Sequence, residues 1–131
     1  MPVHPNEPGP PRPQPIGRLA PPDGQWWVIP RSTSGAFPLG QALWLPVTVT
    51  DATPGSSTEG ALKDPGSLRL LLQPPRQPLQ ALVWPKGEIV RHDRGVFHHA
   101  LTPDVAGRWS MRWLADGDFA GASEQMWFLV R

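Results

Sequence analysis

The chain has 131 residues, including 19 prolines and 13 glycines, no cysteine, and a formal net charge of +1. That length is suited to one domain, and a chain that is about one quarter proline and glycine is not a helical protein. The lack of cysteine removes disulfides and thiolate metal sites, the near-neutral charge without a basic run argues against nucleic-acid binding, and no apolar stretch reaches the length of a membrane span. The expectation is a soluble chain with no readable address signal.

Residues 1–24 read as an extended arm, and residues 25–131 as the folded domain. Nine of the 19 prolines fall within residues 1–22. Such a stretch favours polyproline II and could reach roughly 70 Å at about 3.1 Å per residue. One reading is a tail without fixed structure. The other is an arm laid along a neighbouring subunit, with Ile16 and Leu19 as its apolar anchors, because little ordering entropy remains to be lost.

Gln25 to Pro30 contains Trp26 and Trp27 and reads as a short edge strand closed by Pro30. Adjacent residues on a strand point to opposite faces, so one tryptophan enters the core while the other meets the arm, a partner or solvent. Gln41 to Asp51 is the next strand. Leu43, Leu45, Val47 and Val49 form its inner face, with Trp44, Pro46, Thr48 and Thr50 on the other. Pro46 marks a bulge or a locally unpaired side. Residues 52–67 read as a long loop without phosphate-loop chemistry, and Lys63-Asp64-Pro65-Gly66 is turn chemistry. Leu68 to Gln73 is a strand, followed by a pair, Leu79 to Pro85 and Glu88 to Arg91, joined through Pro85-Lys86-Gly87.

The last forty residues have the clearest pattern. Val96 to Leu101 places Phe97 and Leu101 on one face, and Thr102 to Gly107 then turns the chain. Trp109, Met111 and Trp113 alternate with Arg108, Ser110 and Arg112. Met126, Phe128 and Val130 alternate with Trp127 and Leu129. Period-two patterning separated by turn residues predicts consecutive strands, here read as the closing meander of an antiparallel sandwich. Seven or eight strands in all predict an all-β, immunoglobulin-like antiparallel β-sandwich.

These same residues carry a resemblance. Arg91-x-Asp93-x-Gly95-x-Phe97, Leu101-Thr102-Pro103-x-x-x-Gly107-x-Trp109-x-x-x-Trp113 and Ala122-x-Glu124-x-x-x-Phe128-x-Val130 resemble the C-terminal half of immunoglobulin-like domains in structural proteins of tailed bacteriophages. The likeness spans about residues 41–131. It departs from the family at Phe97, where tyrosine is common, and in the leucine- and proline-rich middle. It implies a virion component of the head, neck or tail, assembled in the host cytoplasm, that binds capsid, neck or tail subunits by shape and sits as a homo-oligomer within the particle.

No catalytic residue, cofactor site or metal site is expected. His98 and His99 are adjacent on a strand and face opposite ways, which disfavours a shared metal even with His92 and Asp93 nearby. Asp116 and Asp118 lie in an Ala-Asp-Gly-Asp-Phe run and read as turn formers rather than a glycosidase pair. No hydrolase elbow or zinc-protease motif is present. The expected contact residues are Ile16, Leu19, Trp26, Trp27, Trp44, Trp127 and Leu129, because large apolar groups on an outer strand face signal a partner. A module that holds surface glycans through its tryptophans is the second reading.

Overall fold

The alternation along residues 43–51 is realised as a strand whose inner side chains Leu43, Leu45, Val47 and Val49 are fully buried. The structure, a computed structural model, describes residues 14–24, 26 and 36–131. Within them the strands are β1 (Gly17–Ala20), β2 (Ala36–Phe37), β3 (Leu43–Asp51), β4 (Ser67–Gln73), β5 (Gln80–Trp84), β6 (Ile89–Asp93), β7 (Val96–Leu101), β8 (Gly107–Asp116), β9 (Gly121–Ala122) and β10 (Met126–Val130). One sheet has the order β1-β3-β7-β6, and the other has β2-β10-β8-β4-β5, with β9 paired to β8. All pairings are antiparallel except β2 with β10.

The two sheets enclose one core. Leu43, Leu45, Val47, Val49 and Phe97 line it from one side, and Leu68, Leu70, Leu72, Trp109, Met111, Trp113, Phe128 and Val130 from the other. An edge-on contact between Trp84 and Phe97, with ring centroids 4.9 Å apart, joins the sheets where β5 and β7 face each other. Burial of this many leucines and aromatics is the main stabilising term, since each removes roughly 1.5–3 kcal/mol of apolar surface cost from water.

Several expectations change here. The last three long strands are not a meander. β7 belongs to the four-stranded sheet and β8 and β10 to the other, so residues 102–106 carry the chain across the sandwich. The link is anchored at both ends: Trp109 Nε1 donates to the Val105 carbonyl at 2.9 Å and Gly40 N to the Pro103 carbonyl at 2.9 Å. β5 and β6 are likewise not a pair, since β5 joins β4 and β6 joins β7. Alternation records which side chains turn inward, and it is silent about which sheet holds them. Pro46 sits within a continuous β3–β7 register, so it is not a bulge. It lies beyond the end of the β1 ladder, which stops at Ala20↔Thr48, and its missing N–H falls on the less-paired stretch of β3.

The expected strand at Gln25 to Pro30 lies outside the described residues except for Trp26, which is half-buried and packs against the core. In the segment read as an arm, residues 17–20 form β1 and pair with β3. Gly17 makes this possible. A Cβ there would stand 1.9 Å from the Phe119 carbonyl oxygen, while Gly17 N donates to the Ala120 carbonyl at 2.9 Å and Phe119 N to the Pro15 carbonyl at 2.9 Å. Residues 15–17 are thus stitched to residues 119–120 at the end of the opposite sheet.

Candidate functional site

Two outer sheet faces carry exposed tryptophan. On β10, Trp127 points away from the core and is 48% exposed, with Met126, Phe128 and Val130 buried beneath it. The register places Trp127 opposite Ser110 of β8, and Ser110 opposite Gln73 of β4. One step along, Arg112 lies opposite Leu71. These rows produce a groove of about 330 Å³ lined by Leu71, Gln73, Leu79, Ser110, Arg112, Gln125 and Trp127. Leu79, at the foot of β5, is 55% exposed. Ser110 is buried although it lies on the outer face, because its larger neighbours roof it.

Two cations flank the groove. The Arg108 guanidinium lies over the Trp127 ring at 4.2 Å from its centroid, which holds both side chains in one place. Arg112 Nε donates to the Ser123 carbonyl at 3.0 Å. Neither arginine pairs with a carboxylate among the described residues, whereas Arg69 is matched by Asp116 at 3.0 Å.

The outer face of the four-stranded sheet is organised differently. Trp44 is also 48% exposed, but its ring stacks on His98 at 4.4 Å, and His98 stacks in turn on His92 at 4.3 Å. Burial, and then the neighbouring His92 and His99, pull the His98 imidazole below its ordinary value. Its Nδ1 is buried without a hydrogen-bond partner. His99 faces the core side, as the alternation predicts, with Nδ1 3.2 Å from the Glu88 carbonyl. Parallel rings do not converge their nitrogens on one point. Among the described residues no group of three or more histidine, aspartate or glutamate side chains is arranged to hold a metal.

The buried polar groups shape loops. Asp51 accepts the Thr58 hydroxyl at 2.6 Å, the Ser56 hydroxyl at 2.7 Å and the Thr53 amide at 2.8 Å. These donors, Thr58 foremost, hold its carboxyl far below the usual carboxylate range. Burial pushes the Asp64 carboxyl up, but hydrogen bonds from Arg91 and from the Gly95 amide outweigh it and leave the group lowered. Gly95 turns β6 into β7 at φ +70°, where a Cβ would meet the Val49 carbonyl at 2.7 Å. Asp116 is committed to Arg69, and the Asp118 carbonyl accepts Gly66 N at 3.1 Å, so that loop is turn structure.

The expected contact residues therefore divide. Trp127 and Trp44 are exposed on opposite sheets, and Ile16 is 49% exposed beside Ala120. Leu129 is only half-buried, next to β2. Leu19 is withdrawn from the set: it faces inward from β1 and belongs to the core, so it cannot anchor to another subunit. Trp26 gives up part of its surface to the same core, and Trp27 lies outside the described residues. Sequence reasoning missed Leu71, Leu79, Arg108 and Arg112 as neighbours of Trp127. The signal for the arginines was present in the Arg108-x-Ser110-x-Arg112 alternation.

No protein-family model matches the chain, and no curated protein sequence matches it. Among solved structures, it is similar to the filamin domain of Lin-41, with a TM-score of 0.54 and 12% identity, covering 80% of this chain and 91% of that one. At that identity the likeness concerns the fold alone: this is an immunoglobulin-like, filamin-type all-β sandwich.

Proposed function

We propose that the chain is a non-enzymatic binding module that docks onto other proteins of an assembly through the outer face of its six-stranded sheet, centred on Trp127. The observation that carries this reading is a half-exposed tryptophan beside a formed groove and two arginines without carboxylate partners among the described residues. Tryptophan and arginine are the side chains that most often dominate protein interfaces, and a flat apolar sheet face is a liability unless something covers it. Ile16 adds a second, smaller contact. The setting implied by the sequence resemblance is a tailed-phage particle, in which the module would decorate or join capsid, neck or tail subunits.

The test is incorporation. Density-banded particles from the source would contain this chain at a fixed ratio to a major structural protein, and Trp127→Glu would remove it while the purified variant stays folded. Absence from particles, or unchanged incorporation of the variant, would sink the reading.

Sugar binding is a second reading, supported by Trp44. One face of its ring is stacked on His98, yet the side chain remains 48% exposed, a geometry that leaves an aromatic platform for a pyranose. Glycan-array binding lost in Trp44→Ala and kept in Trp127→Ala would favour it.

A further inference from the structure

The chemistry of the Trp127 face narrows the kind of partner it fits, an inference that rests on the docking role just proposed. Arg108 and Arg112 lie on the same side of β8, with Ser110 between them. At about 3.3 Å per residue their Cα atoms stand roughly 13 Å apart. Trp127 is opposite Ser110 in the register, so its backbone falls between those of the two arginines, and the Arg108 guanidinium lies over its ring. By backbone position the order along the face is Arg108, the row of Ser110 and Trp127, then Arg112.

An extended peptide has the same repeat. Its residues i, i+2 and i+4 point to one side, and i to i+4 again spans roughly 13 Å. We propose that the groove binds an extended acidic segment of a partner protein with the pattern acidic-x-apolar-x-acidic. The two carboxylates meet Arg108 and Arg112, and the apolar side chain enters between Leu71, Leu79 and Trp127. The groove, about 330 Å³, is at the lower end of the range for small-molecule sites and suits one anchoring side chain. Gln125, which is exposed and whose contact with the buried Ser110 is a long 3.5 Å, supplies polar atoms for the peptide backbone.

Charge decides between an acidic peptide and a nucleic acid. Two arginines on a chain of net charge +1 match two carboxylates, while a nucleic-acid strand needs a basic track along its backbone. Arg108 is already held on Trp127, so little side-chain freedom is lost when a carboxylate arrives.

The experiment is fluorescence anisotropy on the full chain with four labelled probes. The first is a capped nine-residue peptide with glutamates flanking a leucine at the i, i+2, i+4 spacing. The second replaces both glutamates with lysine, the third keeps the composition but places the glutamates side by side, and the fourth is a short single-stranded oligonucleotide. The first peptide binds best, and added salt weakens it. Arg112→Glu and Arg108→Glu each lower its affinity about tenfold, and Trp127→Ala lowers it about thirtyfold. Circular dichroism confirms that the variants remain folded. Equal binding of the spaced and clustered peptides, preference for the oligonucleotide, indifference to the substitutions, or no binding would each overturn the acidic-peptide inference. The docking reading itself is judged separately, by whether Trp127→Glu is lost from the assembly.

Discussion

The two outer faces of the sandwich each display a tryptophan with the same 48% exposure, yet they are built for different ends. Trp44 is matched within its own sheet, by a stack that continues through His98 to His92. Trp127 is matched by one arginine and by a groove that nothing described fills. Fractional exposure alone does not identify a contact surface; what the rest of the ring touches does. Side chains on the first face should matter more for stability, and those on the second more for binding.

The largest expected effect lies in the core between the two faces. Phe97→Ala empties a fully buried site that meets Trp84 across the sandwich and should cost about 3–5 kcal/mol, read from urea unfolding. A much smaller loss would mean the sheets are not held together there. Gly17→Ala comes next. Its methyl group would collide with the Phe119 carbonyl, and a destabilisation of about 2–3 kcal/mol is expected, with loss of amide protection at Gly17 and Phe119 in hydrogen exchange.

The comparison itself is sharpened by paired alanine substitutions. Trp44→Ala should lower stability by about 1.5 kcal/mol through loss of its stacking partners, and Trp127→Ala by only about 0.5 kcal/mol. Peptide affinity should rank the two variants in the opposite order. If Trp127→Ala proves the more destabilising, the contrast between the faces is wrong.

The smallest effect is a pH dependence confined to the stacked face. The folded-state pKa of His98 is lowered, so at pH values between it and the ordinary histidine value of about 6.5 the unfolded chain binds more protons. The stabilisation is present above about pH 6.5 and is lost as pH falls through the folded value. His98→Phe keeps a flat ring in the stack and should flatten the thermal midpoint between pH 7 and 5, whereas wild type declines. Asp51 and Asp64, also lowered, contribute only further down: their stabilisation is present above the ordinary carboxylate range and lost as pH drops through their folded values.

Much of this architecture is legible from alternation. The inward sets on β3, β8 and β10 follow directly from the period-two pattern, and so does the outward direction of Trp127. Sheet membership is not legible, because β5 and β6, or β7 and β8, alternate in the same way whether they pair or separate. β1 has no periodic signal either. Its four residues become a strand because β3 offers a ladder, Thr48 donates its hydroxyl to the Ala20 carbonyl at 2.9 Å, and Thr53 Oγ1 receives Ile16 N at 2.8 Å. The groove needs the registers of β4, β8 and β10 together, so Leu71 and Arg112 become neighbours only once Leu71↔Arg112 is paired.

The parallel pairing of β2 with β10 has a kinetic consequence. Val130 meets Phe37 across about ninety residues of chain, and that contact cannot form until nearly every other strand exists. Closing so long a loop before any local reward is gained is slow. β2 therefore stays unmatched while the strands between it and β10 are made, and the six-stranded sheet closes only when the segment near residue 130 is in place. Closure of the six-stranded sheet is a late step that does not follow the order in which its strands appear.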